Sequence, residues 1–350
     1  MAKMLMATWD GAGNFPPERA LLRLLIARGH EVSVLAHDHQ RGEVEADGAT
    51  FIPYACIDQA KCTDPVPDAM VFEKVIFAGG IGTSLTAEIA RTRPDLLLVD
   101  AFLSTALAAA LASDVRAVAL GSTMHTCLRA GPMGAQAEAL DLVITFTDRA
   151  FELGADLPAN VVHVGPLRLR ESGAPLWERR LPGRPLVLVS LSTSYQAQTD
   201  LLQRLCDALA GFDIEALVTT GDAVNTAGLT AAANTSLVRY VPHEAVLPQA
   251  DLLVTHAGHG TVIVGATFGV PLLCLPMGRD QPMVAQSVAA LGLGVVLEPD
   301  AGVTEIKAAI GDLLADAAMK DRARAYADQA AVNRRDQRAV DVIEDLLHGR

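Results

Sequence analysis

Short apolar runs closed by Gly, Pro or Asp alternate along this chain with longer Ala- and Leu-rich segments of helical period. That alternation predicts strand-helix-strand units and parallel sheets. Met4 to Thr8 reads as a strand, Glu18 to Arg28 as a helix stopped by Gly29, and Glu31 to Ala36 as the next strand. Leu96 to Val99 follows Arg93-Pro94, ends at Asp100 and leads into a helix over Thr105 to Ala112; Val115 to Leu120 and Leu142 to Thr145 complete this half. A polar, Pro- and Gly-rich passage, Gly165 to Pro185 (GPLRLRESGAPLWERRLPGRP), then breaks the alternation as an interdomain linker does. Strand patterns resume at Leu186 to Ser190, Glu215 to Thr219, Leu237 to Tyr240, Leu252 to Thr255, Pro271 to Leu275 and Gly294 to Leu297. The charged, Ala-rich tail from Thr304 to Leu347 predicts two or more helices. The expected organisation is α/β: two doubly wound Rossmann-like domains over 1–168 and 186–325, a linker over 169–185, and C-terminal helices over 326–350 free to pack back on the first domain.

Length and composition agree with this division. A chain of 350 residues exceeds the usual single core, and 51% hydrophobic with 20% charged residues supplies apolar surface for two. Aromatic residues make up only 4% and the formal charge is -13, which together argue against a stacking platform or a broad phosphate-backbone face for nucleic acid. Any phosphate ligand is therefore expected to be held locally. The five cysteines, Cys56, Cys62, Cys127, Cys206 and Cys274, lack paired spacing, so neither a zinc site nor a disulfide framework is expected and a cytoplasmic location fits. The apolar start at Met1 is cut short by Trp9-Asp10-Gly11 and reads as a buried strand rather than a signal; no run approaches a membrane span.

Phosphate chemistry points to one segment. The strand ending at Thr255 runs into His256-Ala257-Gly258-His259-Gly260-Thr261, with Thr261 expected to open a helix to Phe268. A strand-turn-helix junction aims backbone N–H groups and the positive end of the helix dipole at one point, where a diphosphate can dock. Gly258 and Gly260 allow close approach, and His256 and Thr261 add side-chain donors. Taken alone, these residues fit an ordinary glycine-rich turn with a capping threonine better than a ligand site, because glycine turns are common in α/β folds.

The neighbouring residues alter that balance. The stretch Tyr240 to Gly294, YVPHEAVLPQADLLVTHAGHGTVIVGATFGVPLLCLPMGRDQPMVAQSVAALGLG, holds a valine-proline step, H-x-G-x-G-[ST], P-x-x-x-D-Q and a small-residue helix ending in G-x-G, in that order. It resembles the donor domain of the GT-B glycosyltransferases of the UDP-glycosyltransferase superfamily, among them bacterial natural-product and macrolide enzymes. The resemblance implies two domains facing a cleft, and a diphosphate bound by His256, Gly258, Gly260 and Thr261. It implies further that Asp280 and Gln281 hold the hydroxyls of the transferred sugar, and that Val241, Pro242 and His243 lie along the nucleobase. Thr193, in Leu191-Ser192-Thr193-Ser194, would supply a hydroxyl to the β-phosphate, with Ser192 standing where the family has glycine. Transfer without a metal or cofactor, from UDP- or dTDP-sugar to a small apolar acceptor, follows from the same resemblance.

One departure stands out. The turn Trp9-Asp10-Gly11-Ala12-Gly13-Asn14-Phe15-Pro16-Pro17 fails the dinucleotide fingerprint at Pro16. In the superfamily it is commonly G-H-x-x-P, its histidine deprotonating the acceptor; here that position is Asn14, and an amide cannot act as a base. Asp100 matches the aspartate that orients this histidine, and so lacks its partner. Asp10, Asp100 and His125 are the groups that could take the proton, the two carboxylates ranking first. Each has a plainer reading: a turn aspartate, a helix cap, and a pocket-lining histidine. A carboxylate base would suit a phenolic or polyketide-like acceptor, and carbon attack on an aromatic ring is an option. The expected function is an inverting hexosyltransferase. The alternatives are a sugar-nucleotide-binding helper that lost catalysis with the histidine, and a GT-B epimerase of nucleoside-diphosphate sugars. The region Ala49 to Gly82, where family members often insert acceptor-binding loops, is compact and carries Phe51, Tyr54, Phe72 and Phe77, consistent with a flat apolar pocket or merely with core packing.

Overall fold

The computed structural model describes residues 1–11, 13–55, 73, 77–167, 177–333 and 337–349. Ala12, Cys56, Cys62, Phe72 and much of the expected linker fall outside them. The chain divides into two compact units, Met1–Arg170 with Arg335–Arg350, and Glu171–Arg334. Two parallel sheets with helices on their faces make up these units, which is the doubly wound α/β architecture expected.

In the first unit β1 (Lys3–Ala7), β2 (Glu31–Ala36), β3 (Thr50–Pro53), β4 (Leu96–Asp100), β5 (Ala117–Gly121), β6 (Leu142–Thr145) and β7 (Val161–His163) form a parallel sheet ordered β3-β2-β1-β4-β5-β6-β7. Alternating residues of β1 feed two cores. Met4 and Met6 join Leu21, Leu25, Val340 and Ile343 on one face, while Leu5 and Ala7 join Leu85 and Leu107 on the other. Both faces are covered, so the central strands are continuous apolar runs without polar alternation. The C-terminal helix Arg338–Leu347 packs on the first helix, Phe15–Ala27. Arg28 ties the two at their rim, 2.7 Å from Asp341 and 2.9 Å from Glu344.

In the second unit β8 (Leu186–Ser190), β9 (Glu215–Thr219), β10 (Thr235–Val238), β11 (Leu252–Thr255), β12 (Leu272–Cys274) and β13 (Gly294–Val296) run in the order β10-β9-β8-β11-β12-β13. Val187, Val189, Leu252 and Val254 pack against Leu202, Leu205, Ile306 and Ile310 of the helices Thr199–Leu209 and Val303–Ala315. The helix His259–Thr267 sits close on the sheet because Gly265 carries no side chain: a Cβ there would meet Leu253 Cδ2 at 2.6 Å.

The elements differ from expectation at a few places. The short strands β3 and β7 have no distinct apolar run to announce them; pairing with β2 and β6 makes them strands. The first helix starts at Phe15, three residues before Glu18, since Pro16 and Pro17 sit in its first turn, where a missing N–H costs nothing. The helix expected from Thr261 starts at His259. The strand expected over Leu237 to Tyr240 lies at Thr235–Val238, leaving Tyr240 72% exposed.

Candidate functional site

In each sheet the strand order reverses beside the first strand, between β1 and β4 and between β8 and β11. The carboxyl edge at such a reversal is where open α/β sheets bind ligands, because the loops diverge there. Most of the residues singled out from the sequence map to these two edges.

At the second reversal, Ser190 and Thr255 end the paired strands β8 and β11. The chain turns through Ala257 in the left-handed region (φ 64°) and caps the helix His259–Thr267 with Gly258. The cap must be glycine, for a Cβ on Gly258 would lie 2.5 Å from Nε2 of the buried His256 ring. The first intrahelical bond at this end runs from Val262 N to Gly258 O at 3.0 Å, so the N–H groups of His259, Gly260 and Thr261 precede it. Three N–H vectors and a helix dipole thus converge at the turn, the arrangement that binds a phosphate.

His256 is held neutral. Burial, then the charge of Arg279, push its imidazole down to about 4 against the pull of the Ser190 backbone and with a further push from His243. A neutral ring has a single N–H, so the three backbone N–H groups of the turn offer more donors than His256 does. His243 opens the short helix His243–Val246 and its Nε2 lies 3.0 Å from Ser190 Oγ, which also accepts from Thr219 Oγ1 at 3.0 Å. Burial lowers its pKa too. Val241 and Pro242 are half-buried just ahead of it.

The loop after β8 is wired through its hydroxyls. Ser192 Oγ is 3.0 Å from Ser194 Oγ and accepts from Gln196 Nε2 at 2.8 Å, while Thr193 between them is exposed. Ser192 is not among the described residues with left-handed backbone, so serine serves where the superfamily has glycine. Gln281 is fully buried: its Oε1 accepts from Met277 N at 2.7 Å and Gly278 N at 3.2 Å, and its Nε2 donates to Gln196 Oε1 at 2.8 Å. Its amide braces two loops of this edge against each other. Asp280, half-buried, stands at the N-cap of the helix Gln281–Ala290 without capping it through its side chain. Just before Asp280 stands a residue that no sequence motif singled out: Arg279, exposed, with left-handed backbone (φ 58°), donates from Nη1 to Ser194 Oγ at 2.8 Å. Beside this edge a cavity of about 370 Å³ is lined by Thr220, Asp222, Leu237 and Arg239.

At the first reversal Asn14 is a clip. Its Nδ2 donates to Trp9 O at 3.0 Å and to Asp100 Oδ2 at 2.7 Å, and its Oδ1 accepts from Gly11 N at 2.9 Å. Asp100 also accepts from Phe102 N at 2.8 Å and is fully buried. Its carboxyl neighbour, Glu18, was not singled out in the sequence, because it lies on the core face of a helix where an apolar residue is the rule. Burial, then the Asp100 charge, hold Glu18 well above the usual carboxylate range, and Thr8 Oγ1 donates to it. Burial raises Asp100 as well. Both shifts run in the direction that favours a protonated carboxyl at this buried pair.

Asp10 and His125 lie apart from that pair. Asp10 Oδ2 is 2.9 Å from Nε2 of His39, a residue of the 3-10 turn Asp38–Gln40 after β2, and both side chains are partly exposed. His125 is fully buried, its Nε2 2.8 Å from Glu138 Oε1 and its backbone N donating to Glu152 Oε1 at 2.6 Å. Of the aromatic residues between Ala49 and Gly82, Tyr54 is buried and donates to Thr8 O at 2.9 Å, while Phe77 is 46% exposed.

Comparison with known proteins bears on the family and the fold. Residues 203–346 match the family model of the erythromycin biosynthesis protein CIII-like C-terminal domain. The chain is 31% identical over 213 residues to the 4'-demethylrebeccamycin synthase of Lentzea aerocolonigenes, covering 59% of this chain and 50% of that protein. It is 34% identical over 190 residues to the demethyllactenocin mycarosyltransferase of Streptomyces fradiae, covering 53% and 40%. It thus spans about half the length of the curated relatives it matches. The solved glycotransferase of kitacinnamycin superposes with a TM-score of 0.83 over 98% of both chains at 24% identity. The glycosyltransferase VinC, solved in complex with dTDP, does so with a TM-score of 0.76 at 18% identity, over 99% of this chain and 100% of that one.

Proposed function

We propose, for a chain that belongs to the UDP-glycosyltransferase superfamily and has its GT-B fold, that it transfers a hexose from a UDP- or dTDP-sugar to a small apolar acceptor, inverting the anomeric centre. The observation that carries this reading is the turn at Gly258, where the N–H groups of His259, Gly260 and Thr261 converge beside Arg279 at the sheet reversal. A diphosphate is the ligand such a donor set suits, because its oxygens accept several N–H bonds at once and its charge meets the helix dipole. The helix terminus and guanidinium stand in for a metal ion. Asp280 receives sugar hydroxyls, with Gln281 setting its loop.

Chemically, the acceptor oxygen attacks C1 of the sugar as its proton passes to a base, and the C1–O bond breaks with its electron pair leaving on the nucleoside diphosphate. A phenolic or polyketide-like hydroxyl fits, since little proton-transfer work is then needed from the protein. Relatives that glycosylate natural products, and a neighbour of the same fold bound to dTDP, support the substrate class. Titration calorimetry with UDP and dTDP, followed by mass spectrometry of incubations with UDP-glucose, dTDP-glucose and a panel of phenols, tests the assignment. Binding weaker than ~1 mM for both nucleotides, or no sugar transferred or released from either donor, overturns it.

A further inference from the structure

Asn14 leaves the superfamily's base position without a base, and the buried state of Asp100 removes the obvious substitute. Asp100 is 0% exposed, and its oxygens are taken up by Asn14, Phe102 N and Glu18. An acceptor hydroxyl has no path to such a group without unpacking the turn. Two other groups with proton-transfer chemistry meet at the same carboxyl edge. Asp10 follows β1, in the turn that Asn14 clips, and His39 follows the adjacent strand β2. Their side chains are 25% and 20% exposed and join through Asp10 Oδ2 and His39 Nε2 at 2.9 Å.

We propose that His39, oriented by Asp10, is the general base of the transfer reaction, replacing the histidine that Asn14 displaced. With Asp10 accepting the Nε2 proton, the tautomer is set and the lone pair on Nδ1 is left to accept a proton. Nδ1 has no partner among the described residues. The ring is backed by His37, stacked on it with centroids 5.5 Å apart, and His37 is in turn held edge-on by Tyr54 at 5.6 Å. A ring fixed on one side and open on the other is what a positioned base needs. In the reaction the acceptor proton moves to His39 Nδ1, the acceptor oxygen bonds to C1, and the nucleoside diphosphate departs with the C1–O electrons. Asp10 then stabilises the imidazolium.

The inference rests on the transferase reading, and one set of measurements separates the two. Wild type, H39Q, H39A and D10N are each assayed with UDP-glucose and dTDP-glucose, using 4-methylumbelliferone and water as acceptors, and titrated with UDP. H39Q keeps the hydrogen bond to Asp10 but cannot take a proton; its turnover should fall ~100-fold or more with an unchanged UDP Kd. D10N should lose ~10-fold or more, as the loss of an orienting partner does. Added imidazole should restore part of the activity of H39A and none of that of H39Q, which a purely structural histidine would not show. An active wild type with H39Q within about threefold of it overturns the assignment of His39 and leaves the transferase reading standing. A wild type inert on both donors and both acceptors overturns both.

Discussion

The side-chain amide of Asn14 lies 2.7 Å from a carboxylate oxygen of Asp100, a contact that bridges the turn after β1 to the end of β4. It shows that the substitution at this position is built into the fold, since both amide hydrogens and the amide oxygen are engaged. Replacing the donor by an acceptor should be costly. Asn14→Asp sets a third carboxyl against Asp100 and Glu18 in a buried site, and is expected to destabilise the protein by about 2 kcal/mol or more near neutral pH. Urea unfolding checks this, and a change under ~0.5 kcal/mol would mean that the clip carries little.

Glu18 gives a pH dependence with a definite sign. Its folded pKa is raised above 4.5, chiefly by burial and then by Asp100, so the folded state binds the proton more tightly than the unfolded chain. The stability this contributes is full below about 4.5 and is lost as pH rises through the raised value. Glu18→Gln, whose amide donates to Asp100 at every pH, should flatten that decline. Wild-type and variant stability curves that stay parallel above pH 5 would argue against a protonated carboxyl at this pair.

Glu152 has the opposite sign. Burial pushes its pKa up, but hydrogen bonds from His163, from the Thr126 hydroxyl and from the backbone N–H groups of Thr126 and His125 outweigh burial and bring it down to about 2. Its contribution is present above the ordinary 4.5 and disappears as pH falls toward 2. Glu152→Gln should therefore lower stability at pH 7 while narrowing the gap from wild type near pH 2, measured by thermal unfolding at both pH values.

How much of this was legible beforehand differs by residue. The two sheets were, because strands buried on both faces are written as apolar runs such as Leu186 to Ser190, and the glycine turn into the helix His259–Thr267 was, because Gly258 and Gly260 follow one of them. The strands β3 and β7 were not, since pairing rather than composition makes them strands. Nor were the partners of the polar residues. Glu18 meets Asp100 and Asp10 meets His39 only through the parallel register of β1 with β4 and β2, across 82 and 29 positions of chain (100 less 18; 39 less 10). Gln281 could be read as a sugar ligand from its motif; that its amide is spent on Met277, Gly278 and Gln196 depends on loop packing.

Gly258 and His256 make a coupled pair. A Cβ at 258 would stand 2.5 Å from the His256 ring, itself buried, so Gly258→Ala must displace either the imidazole or the turn. Nucleotide affinity is expected to fall ~10-fold or more, because the three N–H groups lose their common focus. Removing the ring should relieve the clash: His256→Ala in the Gly258→Ala background should regain part of the lost stability, although His256→Ala alone destabilises. Strictly additive losses in this double-mutant cycle would sink the steric account.

Arg279 offers the sharpest test of where the diphosphate sits. Its guanidinium donates to Ser194 Oγ, depresses the pKa of His256 through its charge, and stands on a left-handed backbone residue just before Asp280. Arg279→Ala should weaken UDP and dTDP binding by ~10-fold, the effect of one charge-assisted contact, and should reduce the salt dependence of affinity, since one screened attraction is gone. Uridine, which carries no phosphate, should bind both forms alike. Arg279→Lys keeps the charge but loses the planar fork, and is expected to fall between wild type and Ala. If uridine loses as much affinity as UDP, the arginine shapes the loop rather than meeting phosphate. If neither ligand is affected, the diphosphate lies away from this edge, and the placement of the donor at the Gly258 turn fails with it.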